Sequence, residues 1–205
     1  VAKLSHPNIV AIHDILETPR LGLVMAFLDG SSLGDTLRQT PSHRLAAGEV
    51  QRVTVSCLEA LVYAHANQVI HRDIKPDNII VERNGDVRLV DFGLAKLVEQ
   101  SIQTASVTAG SPAYMAPEAW NKQVGPSCDL WSVAVVMFQC LMGALPFSNL
   151  QDVVRETGLA PMVVLRAEDM PTHTHLVAVV ARALTMSRAD RYPTATAMLA
   201  AVKRG

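Results

Sequence analysis

Residues 130–147 (LWSVAVVMFQCLMGALPF) form an 18-residue apolar run, and a stretch of that length must be removed from water by a bilayer or by the rest of the chain. Gln139 interrupts it, Gly143 and Pro146 break it near its end, and no positive charge flanks it. These features predict a helix buried at the centre of a folded domain rather than a membrane span. The rest of the chain can supply such a core, since 49% of its 205 residues are hydrophobic and 18% charged. That balance excludes disorder and suits one ordinary domain, or one complete lobe plus part of another. Eighteen Lys+Arg against nineteen Asp+Glu leave a formal charge of −1, and aromatics are 4%. Neither a polyanion-binding face nor a base-stacking platform is expected, so nucleic acid is excluded as a partner. Cys57, Cys128 and Cys140 are widely spaced without a CxxC pair, which predicts buried small hydrophobes in a reducing compartment rather than a disulfide framework or a zinc site. The chain opens Val-Ala-Lys with no signal-peptide pattern and reads as a piece of something longer.

Two short apolar runs, residues 8–15 (NIVAIHDI) and 21–28 (LGLVMAFL), flank Glu17-Thr18-Pro19-Arg20 and predict a strand pair. After Asp29-Gly30 the period changes, marking a lobe boundary. Residues 33–39 predict a short helix capped by Ser31 or Ser32. Val50, Val53, Cys57, Leu58, Leu61 and Val62 recur at three- and four-residue steps and predict a long amphipathic helix over 46–67. The β-like runs 79–82 and 87–90 are joined by Arg83-Asn84-Gly85-Asp86, and Asn-Gly is a strong hairpin signal. Residues 94–117 read as loop, and further helices are predicted from Cys128 onward and near 149–157, 173–185 and 194–204. His173 and His175 have no matching carboxylate or thiol in their pattern, so no metal is expected there.

The residues with chemistry gather around the small hairpin. His71-Arg72-Asp73-Ile74-Lys75-Pro76-Asp77-Asn78 precedes it and Asp91-Phe92-Gly93 follows it. An Asp thus has a Lys two residues on, an Asn five residues on and a second Asp eighteen residues on, and the Asn84-Gly85 turn folds that stretch back on itself. One carboxylate and one amide oxygen suit Mg²⁺, which keeps waters and takes its other ligands from substrate phosphates. A further carboxylate and an ammonium can orient a hydroxyl and neutralise a phosphate. Phosphoryl transfer needs that combination, because its catalysis is mostly positioning and charge stabilisation.

HRDIKPDN followed by DFG resembles the catalytic and metal-binding loops of the eukaryotic-type serine/threonine protein kinases. The resemblance continues in order along essentially the whole chain. His6-Pro7-Asn8-Ile9-Val10 is similar to the entry into the fourth N-lobe strand, Ala116-Pro117-Glu118 to the close of the activation segment, and Asp129-Leu130-Trp131-Ser132 to the start of the central buried helix. Arg191 falls where the family places the partner of that glutamate. The resemblance implies an α+β, protein-kinase-like fold, with a mostly helical C-lobe over 29–205 and remnant N-lobe strands over 1–28 (end of helix C, strands 4 and 5, hinge). It implies ATP and Mg²⁺, with Asp73 accepting the proton of the substrate hydroxyl, Lys75 contacting the transferred phosphate, and Asn78 and Asp91 holding the metal. Met25 is implied beside the adenine as gatekeeper, Ala26, Phe27 and Leu28 as hinge, and Ile80 beneath the purine. Phe92, Glu118, Asp129 and Arg191 are implied in structural roles. Lys75 points to Ser/Thr substrates and Ser111 to acceptor selection; Arg72 implies control through phosphorylation at Thr104, Ser106 or Thr108.

Two parts of the family pattern are missing from these residues: the glycine-rich loop and the strand-3 lysine, with the glutamate partner expected just before Val1. The loss is one of extent rather than of substitution inside the motifs. Without that clamp, the 205 residues alone are expected to bind ATP weakly and turn over little. The resemblance implies protein substrates bearing Ser or Thr, dimerisation for activation-loop autophosphorylation, and a cytoplasmic location, tethered or not by regions outside this chain. Compact loops lean toward a bacterial member. The alternative is a kinase-fold scaffold that binds protein without catalysis. A small-molecule kinase is disfavoured by Lys75 and by the Gly110-Ser111-Pro112-Ala113-Tyr114 and Ala116-Pro117-Glu118 segments, which shape a peptide platform.

Overall fold

The apolar runs on either side of residues 17–20 pair antiparallel as β1 (Ile12–Leu16) and β2 (Gly22–Met25) in the computed structural model, which describes residues 4–16, 22–92, 112–147 and 174–204. Both strands are shorter than the predicted runs. Residues 8–10 leave β1 to join another strand, with the Val10 amide donating to the Leu89 carbonyl at 3.0 Å and the Leu89 amide to the Asn8 carbonyl at 2.9 Å. After Met25 the Ala26 amide donates to the Ala11 carbonyl at 2.9 Å and the pairing ends.

A second sheet has three strands in the order β3 (Gly30–Ser32), β4 (Ile79–Glu82) and β5 (Val87–Leu89), all antiparallel. The β4–β5 hairpin closes as the sequence predicts: Gly85 adopts φ +90°, and the Asn84 side-chain oxygen accepts from the Asp86 amide at 2.9 Å. β3 was not predicted, since Gly-Ser-Ser is too short for a period and poor in strand formers. Close approach explains its glycine. A Cβ on Gly30 would lie 2.2 Å from the Val81 carbonyl oxygen.

Ser32 ends β3 and caps α1 (Leu33–Gln39), accepting from the Asp35 amide at 3.0 Å. α2 (Ala47–Ala66) buries Val50, Val53, Cys57, Leu58, Leu61 and Ala64 along one stripe, so the predicted periodicity is its inward face. α3 (Pro117–Trp120) is a single turn ahead of α4 (Pro126–Met142). α4 is buried almost all round, with Trp131, Met137 and Phe138 no more than 1% exposed. Gly143, at φ +73°, ends it in the left-handed conformation, its amide donating to the Gln139 carbonyl at 2.7 Å. Among the described residues no helix is long and apolar enough to cross a membrane. α5 (Thr174–Ala183) and α6 (Ala195–Val202) are the remaining α-helices among the described residues, the latter capped by Thr194. The helix predicted near 149–157 lies outside the described residues. α2 packs on α4, α6 and β5, and α5 on α4 and α6, so the core surrounds α4. The three cysteines are free and buried, and burial pushes the Cys57 and Cys140 thiols up to about 12, so they behave as small hydrophobes.

Gly30→Ala forces a methyl into the β4 backbone. It is expected to destabilise the fold by about 1–3 kcal/mol, read as a lowered urea midpoint with an unchanged slope.

Candidate active site

The loop between α2 and β4 is set by one buried carboxylate. Asp129, in the first turn of α4 and 1% exposed, accepts from the His71 amide at 2.9 Å, the Arg72 amide at 2.9 Å and His65 Nε2 at 2.8 Å. Arg72 sits at φ +70°, a conformation that costs a non-glycine residue about 1–3 kcal/mol unless its surroundings hold it. The two backbone bonds to Asp129 supply that hold.

His71 is fully buried and joins both ends of the site. Its Nε2 donates to the Val90 carbonyl at 3.0 Å and its Nδ1 faces the Asp73 amide at 3.3 Å. Those partners require a proton on Nε2 and a lone pair on Nδ1, a neutral ring. Burial lowers its pKa against the opposing pull of Asp129, the Val90 carbonyl, Asp73 and Asp91. The ring also packs on Phe92 with centroids 4.4 Å apart.

Asp73, Lys75 and Asn78 are brought together. Lys75 Nζ donates to Asp73 Oδ2 at 2.8 Å, and Asn78 Nδ2 donates to Asp73 Oδ2 at 3.0 Å and to the Asp73 carbonyl at 2.8 Å. Asp91 is tied to them through the backbone: the Val90 amide before it donates to the Asn78 carbonyl at 3.0 Å. Asp91 itself stands at φ +64°. Two left-handed non-glycine residues in one site are strain of the kind that collects at functional centres.

Met25 ends β2 at 38% exposed, and Ala26 and Leu28 follow it, with the Leu28 carbonyl accepting from the Gly30 amide at 3.1 Å. Ile80 lies in the other sheet, opposite Ser32 and Arg88. Ser111, Thr104, Ser106 and Thr108 lie outside the described residues, as do Gly93 and His173.

Beyond the loop, Glu118 and Arg191 form a buried ion pair at 2.8 Å. Arg191 also donates to the carbonyls of Thr185 at 2.7 Å and Met186 at 3.1 Å, and its guanidinium lies 4.6 Å from the Trp131 ring centroid. Tyr114 is gripped by α4 at two points. Its hydroxyl donates to Gln139 Oε1 at 2.7 Å and its carbonyl accepts from the Ser132 hydroxyl at 2.7 Å. That bond accounts for the one amide in the apolar run.

The family model for the protein kinase domain matches residues 1–199. The chain belongs to the protein kinase family. Serine/threonine-protein kinase Pkn1 of Myxococcus xanthus is 40% identical over 206 residues, covering 92% of this chain and 28% of that protein. CBL-interacting protein kinase 4 of Oryza sativa is 37% identical over 161 residues, covering 75% of this chain and 36% of that protein. The crystal structure of the Mycobacterium tuberculosis PknI kinase domain superimposes with a TM-score of 0.76 at 26% identity, over 98% of this chain and 73% of that one. The chain spans about a third of the length of the curated relatives it matches. The chain is therefore similar to the eukaryotic-type Ser/Thr kinases, bacterial ones among them, and has their α+β kinase fold.

Protein kinases generally use ATP and Mg²⁺. The donor set here fits that metal. Both amide protons of Asn78 are committed to Asp73, which leaves its Oδ1 as the available ligand atom, and the Val90 amide bond to the Asn78 carbonyl ties the backbone next to Asp91 to the same residue. His65 and His71 were missed as site residues by sequence reasoning. The signal for His71 was its place beside Asp73, but its burial against Val90 and Phe92 depends on tertiary contacts.

Removing Glu118 leaves the Arg191 guanidinium buried without its carboxylate. Glu118→Ala is expected to cost about 3–5 kcal/mol of stability by urea unfolding, with Glu118→Gln/Arg191→Met recovering part of it.

Proposed function

We propose that this chain carries the catalytic half of an ATP-dependent protein serine/threonine kinase, moving the γ-phosphoryl of ATP to a Ser or Thr hydroxyl of a protein. The observation that carries the reading is the Asp73 carboxylate held between Lys75 Nζ at 2.8 Å and Asn78 Nδ2 at 3.0 Å. So held, Asp73 presents an oxygen that accepts the hydrogen bond of the incoming hydroxyl and then its proton. The Lys75 ammonium offsets charge on the transferred group as the hydroxyl oxygen bonds phosphorus and ADP leaves. Asn78 Oδ1 and Asp91 would hold Mg²⁺, which supplies neutralisation of phosphate charge. Met25, Ala26, Leu28 and Ile80 form the adenine end, Leu28 through its backbone.

The separate β1–β2 sheet supports a division at 28/29, with β3 opening the second sheet at Gly30. Hydroxyls at 104, 106 and 108, lying between Asp91 and Glu118, support activation-loop phosphorylation read by Arg72, with Ser111 selecting the acceptor and a second copy as the phosphorylating partner. The cysteines, free and buried, support a reducing, cytoplasmic setting.

In the full-length protein, Asp73→Asn and Asp91→Asn are each expected to lower phosphoryl transfer by about 10²–10⁴-fold in a radiolabelled-ATP assay with Ser/Thr peptides. Transfer that survives both changes contradicts the reading. Partner binding without any transfer in the unaltered protein would favour the scaffold instead.

A further inference from the structure

A charged cluster beside the catalytic loop takes no part in the transfer step described above. Arg38, in the last turn of α1, reaches across to that loop: its Nη2 donates to Asp35 Oδ1 at 2.8 Å and to Asp77 Oδ1 at 3.0 Å. Asp77 lies in the short turn Pro76–Asn78, two residues after Lys75 and one before Asn78. The second oxygen of Asp35 accepts from the Ser32 hydroxyl at 2.7 Å. A glycine makes room for the arrangement. A Cβ on Gly34 would lie 2.6 Å from Asp77 Oδ1 and 3.2 Å from Arg38 Nη1, so α1 carries a poor helix former where the pair is seated. The cluster also borders the segment 112–114 that leads into the peptide platform. Burial pushes the Tyr114 phenol up to about 12 against its bond to Gln139; Asp77 adds to the rise and Arg38 opposes it, so both charges act on that hydroxyl.

We propose that Arg38 fills, from within the chain, a cation subsite that Asp77 and Asp35 otherwise offer to a basic residue flanking the acceptor Ser or Thr. The proposal rests on the function proposed above and names the substrate class of the same site: peptides that carry no arginine or lysine against Asp77. Two carboxylates more than half exposed beside the catalytic carboxylate attract any cation that the substrate brings. Here a guanidinium of the chain itself already sits between them. An exposed ion pair is weak and exchangeable, but its arginine is always present at high local concentration. A basic residue of the peptide therefore gains little, because it must displace Arg38 to reach Asp77. If the pair merely tethered α1 to the loop, its loss would affect every peptide alike.

The experiment measures kcat/KM in the full-length protein for a set of Ser/Thr peptides in which one arginine is walked through the positions on either side of the acceptor. Each value is divided by that of the all-alanine peptide, so that any general loss of activity or stability cancels. Arg38→Ala is expected to raise this ratio about three- to tenfold at one or two positions, and Arg38→Gln, which keeps the stem without the charge, to do the same. Arg38→Ala/Asp77→Asn is expected to return the ratio to the parent's. Lys203→Ala removes an equal charge from the distant Glu59 pair and is expected to leave the ratio unchanged. An active parent whose ratios stay the same in Arg38→Ala and Arg38→Gln overturns the proposal alone. So does a rise that survives Asp77→Asn, or one that Lys203→Ala reproduces. If Arg38→Ala does not fold, Arg38→Gln with and without Asp77→Asn decides by the same readings. A parent that transfers no phosphate to any Ser or Thr peptide overturns the proposed function and this proposal with it.

Discussion

The carboxylate of Asp129 is the constraint on which the site depends. It lies at the start of α4, where an acid is favoured by the helix dipole, and it accepts from the amides of His71 and Arg72 and from the His65 ring. Hydrogen bonds to a charged group are worth about 1.5–3 kcal/mol each, enough to offset the strain of Arg72 at φ +70°. The direction of Asp73, one residue later, follows from that geometry. Its side chain then meets Lys75 and Asn78, and His71 and the Asn78 carbonyl carry the same order across to Val90 and Asp91.

A fixed carboxylate needs a fixed helix beneath it. α4 is apolar around nearly its whole circumference, so α2, α5 and α6 can close on it from several sides. Each of its few polar side chains is committed. Asp129 holds the loop, Ser132 and Gln139 hold Tyr114, and Trp131 lies against the Arg191 that pairs with Glu118. The platform that follows the activation segment and the loop bearing Asp73 are thus referred to one rod.

Much of this was legible in the residues. The apolar run, the α2 stripe, the Ser32 cap and the Asn84-Gly85 hairpin each rest on local chemistry, and the structure has them. The kinase resemblance rested on motifs in order, and the family match covers residues 1–199. What sequence could not show was long-range. β3 forms because β4 passes close enough to exclude any Cβ at Gly30, and residues 8–10 desert β1 for Leu89 seventy-nine or more positions away. His65 carries no pattern of its own; it becomes part of the site only when α2 meets α4. The purpose of Gln139 was equally hidden until Tyr114 arrived against it.

The most direct test of the account is amide hydrogen exchange in Asp129→Asn, which keeps the side-chain shape but replaces one accepting oxygen with a donor. The account predicts that the His71 and Arg72 amides exchange at least about tenfold faster, while the interior amides of α4, such as those of Val135 and Val136, keep their protection. Unchanged exchange at residues 71 and 72, or a loss of protection spread evenly along α4, would contradict it.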